Sequence, residues 1–196
     1  MTKPPNPQRR SEKSRRATLD AALELCVEQG YANVTIEGIA ARAGVSKKTI
    51  YRWWPSKGAV ILEAAQDASA GETAFPDTGD LAADLLSQLI SILDQITAPR
   101  TRSIFVGVYT ESLQDPALAE QMHQAWISPR IHQFKERLRK AVEQGQLSPD
   151  ADPEVIMDQL YGVIFHRFVV HMPLPDEAYL RKMISISLSA ARSPGT

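Results

Sequence analysis

Lys47, Lys48, Tyr51 and Arg52 fall in one short run and together offer the cationic and phenolic donors that meet nucleic acid. Ammonium and guanidinium groups neutralise phosphate and release its counterions, and both can donate to guanine O6 and N7 in the major groove. At helical spacing Ile50 and Trp54 lie four apart and turn inward, which leaves the four polar residues on the opposite face. Just beyond, Pro55-Ser56-Lys57 stops one helix and opens another. Its fresh N-terminus, with unpaired N–H groups and Lys57 beside them, suits a phosphate.

Other chemistries find less support. There is no GxSxG elbow, no HExxH, no phosphate loop and no GxGxxG before a strand, so no catalytic residue is assigned. His123, His132, His166 and His171 lack the i, i+4 spacing that sets two imidazoles on one helical face; no metal or cofactor is expected. Glu111 and Asp115 do lie four apart, but a solvated face explains them better than an acid/base pair. Cys26, on an apolar stripe, reads as a small core residue, and a lone cysteine excludes an intramolecular disulfide.

The elements that must position the basic run are legible around it. Thr35 can cap a helix in which Ile36, Ile39, Ala40 and Ala43 repeat at helical spacing. Gly44 accepts the left-handed backbone that ends it, Val45 plugs the corner, and Ser46 caps the next helix. Two helices meeting across a short turn make a helix-turn-helix. In front of them a helix is expected from Ser11 to Gln29, with Leu19, Leu23 and Cys26 inward, and Gly30 as its stop. Residues 1–10, with Pro4, Pro5 and Pro7, are expected to form a flexible basic tail, in which Arg9 and Arg10 either enter a minor groove or stay solvated.

The run Ala43-Gly44-Val45-Ser46 followed by Thr49-Ile50-Tyr51-Arg52-Trp53-Trp54-Pro55-Ser56-Lys57 resembles the DNA-binding domain of the TetR family of bacterial transcriptional regulators. Members commonly carry histidine and phenylalanine where this chain has Trp53 and Trp54; Trp54 can fill the core role, and Trp53 can reach a phosphate only through its indole N–H. The resemblance implies an all-α fold: an N-terminal three-helix helix-turn-helix domain, then a C-terminal helical ligand-binding and dimerisation bundle, about nine helices in total. It also implies a homodimer on a double-stranded DNA operator, a small-molecule effector, and no enzyme activity. The DNA-binding set is then Thr35, Arg42, Ser46, Lys47, Lys48, Thr49, Tyr51, Arg52, Trp53 and Lys57.

The charge distribution agrees. A net charge of −1 conceals 11 Lys and Arg against 5 Asp and Glu in residues 1–58, and 11 against 18 in residues 59–196. Only the front half is built to approach a polyanion. No apolar run approaches the ~18 residues of a membrane span, and no apolar signal segment opens the chain, so a cytoplasmic protein without a membrane partner is expected.

Residues 11–58 form the expected DNA-binding domain, residues 59–79 a connecting helix and a breaker-rich linker with Pro76 and Gly79, and residues 80–196 the effector-binding and dimerisation domain. The connecting helix carries Glu63 and Asp67 on its outward half. Helices follow from Asp80 to Thr97, from Pro99 to about Gln114, and from Pro116 to Gln144 with a kink at Pro129. The last two, Pro153 to His171 and Asp176 to Arg192, carry more apolar surface than one inward stripe needs. A second copy of the pair is the expected cover, through Ile156, Leu160, Ile164, Phe168, Leu180, Met183, Ile184 and Leu188. Phe105, Tyr109, His123, Trp126, Tyr161, Phe165 and His166 either line an effector cavity or are ordinary packing. Two rival functions stay open: a sequence-tolerant architectural DNA binder, and a ligand-processing enzyme fused to a DNA-binding head.

Overall fold

A computed structural model describes the backbone of residues 7–69 and 75–191. Among these residues there are ten α-helical segments and no strand. They are α1 (Pro7–Gln29), α2 (Ile36–Ala43), α3 (Lys47–Tyr51), α4 (Lys57–Ser69), α5 (Leu81–Thr97), α6 (Pro99–Ser112), α7 (Pro116–Met122), α8 (Ser128–Glu143), α9 (Pro153–Val169) and α10 (Glu177–Ala190). A 3-10 turn, Tyr31–Asn33, follows α1, and a π turn, His123–Ile127, joins α7 to α8. With α7 and α8 counted as one element interrupted by that turn, there are nine helices among the described residues. Among the described residues no single helix is long and apolar enough to cross a membrane.

Local chemistry explains most of the boundaries. Asp115, Asp152 and Asp176 cap α7, α9 and α10, each accepting from backbone N–H groups of the first turn. The π turn sits just ahead of Pro129, which has no N–H to offer and whose ring crowds the preceding carbonyl; a widened turn accommodates both. The expected tail is shorter than ten residues, because α1 opens at Pro7, a residue tolerated in the first helical turn. Residues 1–6 and the side chains of Arg9 and Arg10 lie outside the described residues.

The chain divides into two compact units, residues 1–72 with 98–128, and residues 73–97 with 129–196. Helices α6 and α7, which fall within the expected effector-binding domain of residues 80–196, pack with the head. Leu19, Ala22, Cys26, Ile39, Ile50, Trp54, Ile61, Val108 and Leu118 form the core of the first unit. Burial pushes the Cys26 thiol up to about 11, only partly offset by Lys57, which keeps it protonated and inert.

Gly107 lets α6 close on the 3-10 turn. A Cβ there would stand 2.1 Å from Cγ of Tyr31. Alanine ordinarily favours a helix over glycine by about 1 kcal/mol, but overpacking against a buried ring costs about 1–3 kcal/mol or more. Gly107→Ala is therefore expected to lower the thermal midpoint, as a circular dichroism melt would read; an unchanged or raised midpoint would contradict the contact.

In the second unit Phe134 is packed between Phe75, at 6.0 Å, and Tyr161, at 5.5 Å, both edge-on. Asp84 and Arg137 form a buried pair: Arg137 Nε donates to Asp84 Oδ2 at 2.8 Å, and Thr78 donates to the same carboxylate through its N–H and its hydroxyl. Burial by itself would raise the Asp84 carboxyl, but these hydrogen bonds outweigh it and hold the group below the usual carboxylate range.

The last two helices correct one expectation. Ile156, Leu160, Ile164, Leu180, Ile184 and Leu188 are all buried within one chain, where α9 packs on α10, so they are not a docking surface. Phe168 and Met183 are half-buried. The apolar side chains left outside are Val155, Phe165 and Val169 of α9, with Tyr179 and Ile186 of α10, the last 60% exposed. A helix with two apolar stripes does not say from its sequence which stripe faces its own core.

Candidate nucleic-acid interface

Thr35 accepts a hydrogen bond from Gly38 N–H at 3.0 Å and starts α2, and Gly44, at φ 65°, closes it in the left-handed region. Ser46 accepts from Thr49 N–H at 3.1 Å and starts α3, with the Thr49 hydroxyl 2.9 Å from its own. Ile50 and Trp54 are buried as their spacing requires. They anchor α3 so that Lys47, Lys48, Tyr51, Arg52 and Trp53 stand outside, the tyrosine 54% exposed and the indole of Trp53 43%. The five-residue helix is thus rigid on one side and available on the other.

The anchor continues behind it. Trp54 Nε1 donates to Glu63 Oε2 at 2.7 Å, and Arg15 of α1 pairs with the same carboxylate. Glu63 therefore points inward and joins α1, α4 and the end of the reading helix, where the sequence had suggested a solvated position. Asp67 stays outside, with its carboxylate 3.6 Å from Arg16.

Cations of the head differ in what they already hold. Arg42 makes a bidentate contact with Glu28, at 2.6 and 2.7 Å, with Glu24 3.7 Å away. Lys47 donates to Glu37 at 2.8 Å. Arg52 donates to the Ser11 hydroxyl at 3.1 Å and lies 5.5 Å over the ring of Trp53. Lys57 reaches the carbonyls of Tyr31 and Val34, both at 3.3 Å, with its ammonium 4.6 Å over the Tyr31 ring. Among the described residues Lys48 holds no ion pair. Neither Glu28 nor Glu37 is marked by the sequence pattern: their partners lie 14 and 10 residues away on another helix, beyond helical periodicity.

Tyr31 ties this head to α6. Its N–H donates to Ser103 Oγ at 2.8 Å and its hydroxyl to Glu111 Oε2 at 2.6 Å; burial, then Glu111, raises the phenol so that it keeps its proton. Glu111 and Asp115 thus have structural partners, a phenol and the first N–H groups of α7.

The aromatic and histidine residues proposed for an effector are divided between the units. In the first, Phe105 stacks on Tyr109 at 6.4 Å and on Trp126 at 6.3 Å, and His123 is exposed at the π turn. In the second, Tyr161 rests on Phe134, its phenol raised by burial and partly offset by Arg130, while Phe165 and His166 are exposed on α9. An open cleft of about 420 Å³ in the first unit is lined instead by Pro55, Ala59, Leu62, Gln66, Gln121 and Gln124 among others.

Comparison with known proteins agrees with this geometry. Residues 19–64 match the bacterial regulatory proteins of the tetR family, and residues 75–186 match the tetracyclin repressor-like C-terminal domain. YdeS, an uncharacterized HTH-type transcriptional regulator of Bacillus subtilis strain 168, is 33% identical over 175 residues, covering 89% of this chain and 88% of its own. The DNA-binding transcriptional repressor TetR of Mycobacteroides abscessus is 29% identical over 188 residues, covering 95% and 97%. Among solved structures, the TetR family transcription regulator SCO0332 superposes with a TM-score of 0.77 at 36% identity, over 92% of this chain and all of that one. With its caps, turn and basic outer helix in one register, the chain belongs to the TetR family of helix-turn-helix transcriptional regulators, which are not enzymes.

Proposed function

We propose that the protein is a cytoplasmic, homodimeric repressor that binds a palindromic operator and leaves it when a small molecule binds. The observation that carries this is the outer face of α3, where Lys48 and Tyr51 are exposed above a buried Ile50 and Trp54. Lys47, Lys48, Arg42 and Arg52 approach bases or phosphates, while Thr35, Ser46, Thr49, Tyr51, Trp53 and Lys57 set register on the backbone. The name of the Mycobacteroides abscessus relative supports repression over activation.

Pairing uses the outer stripe of α9 and α10. Val155, Gly162, Phe165 and Val169 recur along one face of α9, and Tyr179 and Ile186 along one face of α10. Exposed apolar area of this kind marks an interaction surface. Two copies joined there present two reading helices to successive major grooves, with half-site centres about 34–36 Å apart or a multiple of it.

Release runs through α6. Ser103, Gly107 and Glu111 recur four apart and grip Tyr31 of the head, while Phe105 and Tyr109 stand two residues off, on the other side of the same helix. A ligand that displaces Phe105, Tyr109 and Trp126, which stack together in the first unit, moves α6 and with it the head. To empty a nearly filled operator it must favour the released state by about 5 kcal/mol.

Selection of bound duplexes from a random pool tests the reading: enrichment of a dyad-symmetric site is expected, and equal recovery of all sequences would favour the architectural binder. On the selected duplex Lys48→Ala is expected to cost about 1–3 kcal/mol, whereas Tyr51→Phe loses a phosphate contact and weakens all sequences alike. Gel-shift titrations on operator and random duplex separate the two; an unchanged Lys48→Ala affinity removes that residue from the interface.

A further inference from the structure

Two of the cations in the DNA-binding set, Lys47 and Arg42, meet carboxylates of the same chain before any DNA arrives. Lys47, the first residue of the reading helix, is paired with Glu37 at 2.8 Å, and Arg42 is held through both nitrogens by Glu28, with Glu24 at 3.7 Å. The fold does not need these pairs. Helices α2 and α3 are already fixed by Ile39 and Ile50, both fully buried, and exposed ion pairs stabilise little. Their effect is electrostatic. A carboxylate hydrogen-bonded to a cation occupies the position that a phosphate oxygen would take, and the Arg42 hydrogen bond holds the Glu28 carboxyl below its ordinary range, as the Lys47 hydrogen bond does for Glu37, so both stay ionised. Lys48 has no such partner among the described residues.

We propose that Glu37 and Glu28 are intramolecular phosphate competitors that hold down the sequence-independent DNA affinity of this regulator. When the head meets a duplex, phosphate must displace each carboxylate, and the displaced group stays beside the polyanion as a like charge. Sequence-independent binding draws its free energy from cations that release counterions, so a pre-paired cation contributes less of it. The contacts of Lys48, which pairs with no carboxylate among the described residues, then carry a larger share of the hold on DNA. The inference rests on the DNA-binding face described above, and its test separates the two.

The experiment is a fluorescence anisotropy titration of the full-length protein on a random-sequence duplex, repeated across a salt series, for the unmodified protein, Glu37→Gln, Glu28→Gln and the double variant. Glu136→Gln, which removes the same charge from an exposed Arg139 pair in the other unit, is the control for net charge. Each head substitution is expected to tighten random-duplex binding roughly two- to five-fold at low salt. It is also expected to steepen the fall of log affinity with log salt by up to about 0.9 for each freed cation. The double variant should show both increments and Glu136→Gln neither. An unchanged slope in Glu37→Gln and Glu28→Gln, an equal gain in Glu136→Gln, or weaker binding, which would make the carboxylates themselves DNA contacts, overturns the proposal while leaving the face intact. Failure of the unmodified protein to bind duplex at low salt overturns both. Melting curves check that the exposed substitutions leave the fold unchanged.

Discussion

Gly162→Arg is expected to convert the protein to a folded monomer that has lost its grip on the operator. A Cβ at Gly162 meets nothing within 4 Å, so a side chain there has room within its own chain. Glycine inside a helix costs about 0.5–1 kcal/mol relative to alanine, and replacing it removes part of that cost, so the monomer's own stability should hold or rise. Between two copies the outcome reverses. Position 162 lies in the exposed stripe with Val155, Phe165 and Val169, and a guanidinium on a long stem would stand where a partner helix must approach. Losing the second head removes the effective concentration that links two half-sites, and operator affinity should fall roughly 10²–10⁴-fold. Sedimentation velocity and gel shift read the two effects separately. A dimeric Gly162→Arg protein would place the interface elsewhere, and a monomer with full operator affinity would contradict two-headed binding.

Asp84→Asn should be the most damaging polar substitution in the second unit. Asp84 and Arg137 are 1% and 2% exposed, and Nη1 and Nη2 of Arg137 have no acceptor among the described residues, so the carboxylate is the main counterweight to a buried cation, with Asp77 further off at 3.6 Å. Removing one partner of a buried pair costs about 3–5 kcal/mol, because the other charge is left desolvated. Urea denaturation should therefore show the midpoint falling sharply, while Asp84→Leu combined with Arg137→Met, which removes both charges, should recover most of the loss. The pH dependence has a definite sign. The folded carboxyl lies below its unfolded value near 3.9, so its contribution is complete above about pH 5 and is lost as pH falls through the carboxylate range toward the folded value. In Asp84→Asn that acid-limb dependence should flatten; an unchanged acid limb would mean that the pair does not govern it.

What could be read from the chain beforehand was what depends on near neighbours. Thr35, Gly44 and Ser46 act within one turn of their own helices, and Ile50 and Trp54 bury themselves by a spacing of four, so the reading head was legible residue by residue. Pairings set by the fold were not. Glu28 meets Arg42 across two helices, Tyr31 meets Gly107 and Glu111 across more than seventy residues, and Glu63 turns inward to the Trp54 indole N–H and the Arg15 guanidinium. The outer and inner stripes of α9 are equally apolar, and only the position of α10 decides that Ile156, Leu160 and Ile164 are core while Val155, Phe165 and Val169 remain outside. The effector residues share this difficulty, since an aromatic side chain that stacks in a core has the same sequence signature as one that lines a cavity.

A crystal structure of the protein on its selected duplex tests the central claim most directly. Two α3 helices should lie in successive major grooves of one face, with Lys48 and Tyr51 of each within hydrogen-bond distance of bases and phosphates. DNA seated on any other surface, with α3 left in solvent, would contradict the account.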